Sequence, residues 1–104
     1  MTRPAWIVAA LAALTLTASP AAARPWITLY SAPNYGGSSV NLDRPVRNLD
    51  RYGFNDRAQS ARVHGRWLLC AANDFQAPCA TLNHDTPRLK DYDMNRRANS
   101  VRPN

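Results

Sequence analysis

The apolar positions downstream of residue 23 recur in short runs with the two-residue period of a strand, not the spacing of a helix. "WITLYS" (Trp26–Ser31) and "RWLLCA" (Arg66–Ala71) are brief apolar stretches bounded by turn residues, as strands are. "SSVNLD" and "PCATLN" alternate, placing Val40 with Leu42, and Ala80 with Leu82, on one side. "AQSARVHG" and "NSVRP" supply one further strand each. Only "RNLDRY" and "PRLKDY" have room for a turn of helix, and Pro33, Pro45, Pro78 and Pro87 stand at breaks. The pattern predicts an all-β chain.

The chain also repeats itself. "YGFNDRAQS" (Tyr52–Ser60) returns forty residues later as "YDMNRRANS" (Tyr92–Ser100). At that offset ten positions are identical without a gap, among them Leu29/Leu69, Leu42/Leu82, Leu49/Leu89, Asn55/Asn95, Ala58/Ala98 and Arg62/Arg102. Chance gives about two at average composition, so the chain contains a duplicated unit. One copy of about four short strands has a single apolar face and nothing to bury it against. Two copies facing each other make a two-sheet sandwich. Ile27, Leu29, Val40, Leu42, Val63, Trp67, Leu69, Leu82 and Val101 are the candidate core. Tyr52 and Tyr92 are expected to plug the turn before each copy's last strand, and Trp26 to pack at the core or an edge.

The first 23 residues read differently. One arginine, Arg3, precedes the 14-residue run Ala5–Ala18, which is apolar or nearly so, and small residues follow at Ala21 and Ala23. That is the layout of a cleaved signal peptide over residues 1–23. The run is shorter than the roughly 20 residues a membrane span needs, which disfavours a retained anchor helix. Cleavage leaves residues 24–104 as one exported domain with no membrane span. In an oxidising compartment Cys70 and Cys79 are expected to be bridged rather than to remain free core thiols. Basic residues outnumber acidic ones by 13 to 7, and no glutamate is present. A basic exported surface suits solubility, or an anionic surface polymer as partner. The arginines are scattered, and most aromatics fall at core positions rather than as stacking platforms for nucleic acid. His64 and His84 lack a second ligand at metal spacing and read as surface or turn residues. No nucleophile motif is present, so no catalytic residue is assigned.

These residues resemble the βγ-crystallin Greek-key family, in its secreted microbial single-domain form with two motifs. The family's hairpin signature (aromatic, four residues, aromatic, any residue, glycine) is matched by "YSAPNYGG" at Tyr30, Tyr35 and Gly37. The serine that pins the hairpin is matched by Ser60 and Ser100. The second signature, "CAANDFQA", keeps Phe75 but has Cys70 for the first aromatic and Ala77 for the glycine. The resemblance implies a double Greek-key sandwich of two four-stranded antiparallel sheets, one strand of each motif crossing into the opposite sheet. Motif 1 would span about 26–64 and motif 2 about 66–103. It also places Ala77 at a positive φ, where alanine costs on the order of 1 kcal/mol, with the Cys70–Cys79 bridge offsetting that cost.

Microbial relatives often hold two Ca²⁺ ions through N/D-N/D-x-x-S/T-S, the second residue giving a side-chain oxygen and the fifth a hydroxyl across to the other copy. The resemblance points to Asn55, Asp56, Arg57 and Gln59 in copy 1 and to Asn95 and Asn99 in copy 2. A hard cation wants oxygen ligands. Arg96 puts a cation at the second position of copy 2, and both fifth positions are amides. The expectation is no cofactor beyond weak Ca²⁺ at one site at most. The function implied is a stable, non-enzymatic exported binding module, expected to be a monomer. The alternatives are a small secreted metallopeptidase inhibitor with an extracellular protease as partner, and a cationic antimicrobial or wall-binding protein.

Overall fold

The computed structural model describes residues 24–104; the leader expected at residues 1–23 lies outside the described residues. Six strands form: β1 (Trp26–Ala32), β2 (Gly36–Leu42), β3 (Ser60–His64), β4 (Trp67–Cys70), β5 (Cys79–Leu82) and β6 (Ser100–Pro103). They build two antiparallel sheets in the orders β2-β1-β3 and β5-β4-β6. The second sheet repeats the first at the forty-residue offset. Leu29 faces Val40 and Ala61 across the first sheet, and Leu69 faces Ala80 and Val101 across the second. The two possible helical turns are 3-10 turns, Leu49–Tyr52 and Leu89–Tyr92, and a third spans Asn73–Phe75.

Each sheet has three strands, not the four expected. The crossing segment is present but reduced to a single residue pair per sheet: Val46 with Val101, and Thr86 with Ala61. Each pair makes both backbone hydrogen bonds, at 2.8 and 3.0 Å. The ladder stops there because the chain turns at once into the 3-10 segment. The next cross-copy bonds run from Leu49 N to Asn99 O and from Leu89 N to Gln59 O, at 2.7 and 2.8 Å. The copies are therefore stitched together by backbone as well as by their apolar faces.

Between the sheets lie Ile27, Leu29, Leu42, Trp67, Leu69, Leu82 and Val101, all expected there and all buried. Val40 and Val63 only lean against this core. Tyr52 does not plug its turn: it is 46% exposed. Tyr92 is half-buried against the core, but the fully enclosed places after the turns go to Phe54 and Met94, both buried, with backbone N–H groups donating to Leu49 O and Leu89 O. A phenol would have had to bury its hydroxyl, and these side chains have none. Trp26 packs neither in the core nor at a sheet edge: it begins the central strand β1, is exposed, and stacks on the His64 ring at 5.6 Å.

The left-handed backbone positions also come in pairs. Asn34 and Asp74 (φ 56° and 57°), Tyr35 and Phe75 (62° and 60°), Gly53 and Asp93 (70° and 59°), and Asp56 and Arg96 (54° and 56°) each stand forty apart. Gly37, at φ 75°, breaks the pairing: its counterpart Ala77 is not at positive φ, and the Ala77–Pro78 peptide is cis. The hairpin of copy 2 thus takes another path, and the disulfide has no left-handed alanine to offset. At Gly37 a Cβ would collide with Ser31 Oγ and lie 3.2 Å from Ala32 N. That hydroxyl already accepts from Ser38 N at 2.8 Å. Gly37→Ala is expected to cost about 1–2 kcal/mol, a fall of roughly 5–15 °C in Tm for a domain of this size, read by circular dichroism.

Candidate functional site

Two small clusters sit where the copies cross, each using residues from both. Each folded hairpin is pinned by a buried serine. Ser60 Oγ accepts from Tyr35 N (2.9 Å) and donates to Ala32 O (2.7 Å). Ser100 Oγ accepts from Phe75 N (2.9 Å) and donates to Ala72 O (2.6 Å). Both serines are fully buried, so these bonds run without competition from water. Pinning sets the hairpin carbonyl one residue earlier, Ser31 O or Ala71 O, against the residue before the serine. Gln59 Nε2 donates to Ser31 O at 2.7 Å, and Asn99 Nδ2 donates to Ala71 O at 2.6 Å.

The second motif residue of each copy meets the fifth-residue region of the other. Asp56 N donates to Ala98 O at 3.3 Å, and Arg96 N donates to Ala58 O at 2.9 Å. Asp56, Asn99 and Ala71 O are thereby gathered at one crossing, and Arg96, Gln59 and Ser31 O at the other. The first crossing carries an orphan: Asn99 Oδ1 is buried without a hydrogen-bond partner. Its amide nitrogen is committed to Ala71 O, which leaves the oxygen free to meet a cation. An unsatisfied buried oxygen costs roughly 1–3 kcal/mol, and an oxygen-seeking ion would remove that cost. The exposed Asp56 carboxylate takes no salt bridge among the described residues.

The second crossing is cationic. Arg96 and Arg57 line a cavity of about 260 Å³ with Ser31. Arg57 is braced: its guanidinium donates to Gly53 O at 2.9 Å and lies over the Phe54 ring at 5.1 Å. Arg97 repeats the first contact with Asp93 O at 2.9 Å. Asn55 lies exposed on its turn and Asn95 is half-buried. Among the described residues no three His, Cys, Asp or Glu side chains are grouped to hold a metal. A cation would therefore rest on amide, carbonyl and single carboxylate oxygens. Sequence reasoning missed the Ser31 and Ala71 carbonyls. Backbone groups carry no side-chain signature, and only the recurring 28-residue separation from Gln59 and Asn99 hints at them.

Cys70 and Cys79 face each other across β4 and β5 and form a disulfide, with Cα atoms 4.0 Å apart. Their counterparts are Tyr30 and Ser39, which face each other across β1 and β2. The Tyr30 ring stands edge-on to Tyr35 at 5.8 Å. The bridge thus has Cys70 in the place of the Tyr30 ring and Cys79 in that of Ser39, while Phe75 keeps the place of Tyr35. His64 and His84 are both exposed; His84 Nε2 lies 3.3 Å from Tyr92 Oη. A further surface cavity of about 470 Å³ is lined by Trp26, Thr28, Asn41, Leu42 and Asp43. Beside it the hydrogen-bonded Arg44 guanidinium, 3.0 Å away, holds the exposed Asp43 carboxyl below its ordinary range.

The family model described as Beta/Gamma crystallin matches residues 26–103. Among solved structures, a βγ-crystallin from Ciona intestinalis is 26% identical with a TM-score of 0.72, covering 76% of this chain and 99% of that one. A βγ-crystallin domain from Flavobacterium johnsoniae is 28% identical with a TM-score of 0.65, covering 73% and 90%. The human protein called Beta/gamma crystallin domain-containing protein 2 is 40% identical over 53 residues, 50% of this chain. The aligned stretch is 3% of that human protein's length.

Proposed function

The chain belongs to the βγ-crystallin family, and from that premise we propose that it is an exported, non-enzymatic binding module in which one calcium site survives in weakened form and the other has been lost. The observation that carries this reading is the asymmetry of the two crossings. One brings Asp56, through its backbone bond to Ala98 O, to the residue next to an amide whose oxygen, Asn99 Oδ1, is buried and unpartnered. The other places Arg96 and Arg57 around the same kind of space. Asp56, Asn99 and neighbouring backbone carbonyls would hold the ion, and its charge would tie the two copies at that end. At the other crossing a guanidinium repels a divalent cation and offers no ligand atom. The signal-peptide layout of residues 1–23 supports export, where millimolar-affinity modules operate.

Calorimetric titration with CaCl₂ tests this. At most one ion is expected, with a Kd on the order of 10⁻³ M, and Asp56→Asn should abolish it. Arg96→Asp combined with Gln59→Ser should add a second site, since Asp56 shows that an aspartate fits the same left-handed position. Two ions bound at micromolar affinity by the unaltered protein would overturn the reading.

A further inference from the structure

We propose that the groove between Arg47, Arg51, Tyr52, Phe75 and Arg102 is a docking site for an anionic polysaccharide, a glycan segment bearing carboxylate or sulfate groups. This rests on and deepens the reading of the chain as a binding module, by naming a ligand class and a surface that uses none of the side chains assigned to the calcium crossings.

The groove has a volume of about 420 Å³ and is also walled by Pro45 and Val46. Two of its arginines are held in place. Arg47 lies 3.3 Å from Asp74 and 5.5 Å from the Phe75 centroid, and Arg102 lies 5.6 Å from the same ring. Arg51 and Arg102 have no carboxylate within salt-bridge distance among the described residues. The groove thus presents three guanidinium groups against the Asp74 carboxylate, beside the exposed ring of Tyr52.

The internal repeat separates what the fold requires from what it does not. Forty residues away, the positions of Arg102, Phe75 and Tyr52 are filled by Arg62, Tyr35 and Tyr92. Arg62 likewise lies over its ring, 4.0 Å from the Tyr35 centroid. An arginine on an aromatic at this point is therefore part of the fold. Arg47, Arg51 and Pro45 instead correspond to Pro87, Asp91 and Asp85. In the counterpart Arg62 is neutralised by Asp85 at 3.3 Å, and Asp91 is paired with Arg88 at 3.4 Å. Around this arginine-on-aromatic contact the counterpart copy supplies carboxylates at positions 85 and 91, whereas the groove has none there and adds Arg47 and Arg51, all at exposed positions that the core does not see.

The ligand class follows from the chemistry. Guanidinium forks match carboxylate and sulfate oxygens in pairs and shed their hydration more readily than an ammonium. A single exposed ring suits the apolar face of one sugar. Nucleic-acid strands use successive aromatic platforms, and here Phe75 is half-buried and already faced by two guanidinium groups.

The test measures the affinity of the purified protein for a heparin-derived octasaccharide by calorimetry at low salt. Binding is expected, and it should weaken severalfold between about 50 and 200 mM NaCl as charges are screened. Arg47→Gln/Arg51→Gln should weaken it about tenfold or more, and Tyr52→Ala about threefold. Arg88→Gln/Lys90→Gln removes as much positive charge elsewhere and should change it less than about twofold. All these residues are exposed, so the variants should keep the parent Tm. Equal losses in the two charge-removal variants would reduce the effect to bulk charge and overturn the proposal. So would an absence of binding, or tighter binding to oligo(dT) than to the glycan. The calcium titration is independent of all these outcomes, so failure here leaves the calcium reading standing.

Discussion

Cys70→Ala/Cys79→Ala is expected to lower Tm by about 10–20 °C. The bridge closes a loop of about ten residues, which the chain-entropy model values at roughly 2.5–3 kcal/mol. The described chain has 81 residues, and domains of that size have total stabilities near 4–12 kcal/mol. Each kcal/mol moves Tm by about 4–8 °C at this length. The hairpin of copy 2 depends on the bridge for a local reason. Copy 1 closes its hairpin with the Tyr30–Tyr35 ring contact and the left-handed Gly37. Copy 2 has Cys70 in place of the first ring and Ala77 in place of the glycine. Alanine suits the test better than serine because Cys70 is fully buried, and a new hydroxyl there would add a desolvation cost of its own. Reductant should reproduce the fall in the parent protein and leave the double variant unchanged. A shift smaller than about 4 °C would show that the hairpin is held by β-ladder and core contacts alone.

Ser60→Ala should cost as much through a different mechanism. Ser60 Oγ serves two backbone groups at once, Tyr35 N–H and Ala32 C=O. Removing it strands both where water has little access, at about 1–3 kcal/mol for each group left without a partner. A loss of roughly 2–4 kcal/mol corresponds to about 10–25 °C in Tm. Because the pin also places Ser31 O, amide exchange at Tyr35 should accelerate more than at core strand positions. Ser100→Ala removes the equivalent pair at Phe75 and Ala72. A drop of only a few degrees for both variants would mean that water or a shifted backbone replaces the hydroxyl.

The duplicated unit, the strands and most of the core were legible in the chain. Period-two alternation and a gapless offset of forty residues survive in one dimension: they depend on which side chains are apolar, and a pleated strand sorts those onto opposite faces. The serine pins were legible through the family resemblance, since Ser60 and Ser100 stand at a fixed distance from their hairpins. Three features were not. Tyr52 and Phe54 are both aromatic and two residues apart, so composition does not say which one turns inward; the tight turn after Leu49 decides it. Ala77 occupies a glycine's place, and nothing local shows that the backbone avoids positive φ there. The crossing strands shrink to the Val46–Val101 and Thr86–Ala61 pairs because the 3-10 turns begin immediately, a matter of geometry between copies.

The candidate sites divide along the same line. The cation that Arg96 puts at the second position of the repeated motif is plain from the residue string, because its charge is the same wherever the chain places it. The orphaned oxygen of Asn99 is not, because it exists only once Ala71 O has claimed the amide nitrogen from 28 residues away. The arginine groove is likewise invisible along the chain, where Arg47, Arg51 and Arg102 are scattered single charges. By itself the sequence determined the pattern of apolar faces, their duplication and the sign of each charge, since these belong to residues. The tertiary structure alone decided which carbonyls meet which amides and which charges share a groove, since those belong to distances that the crossing of the two copies creates.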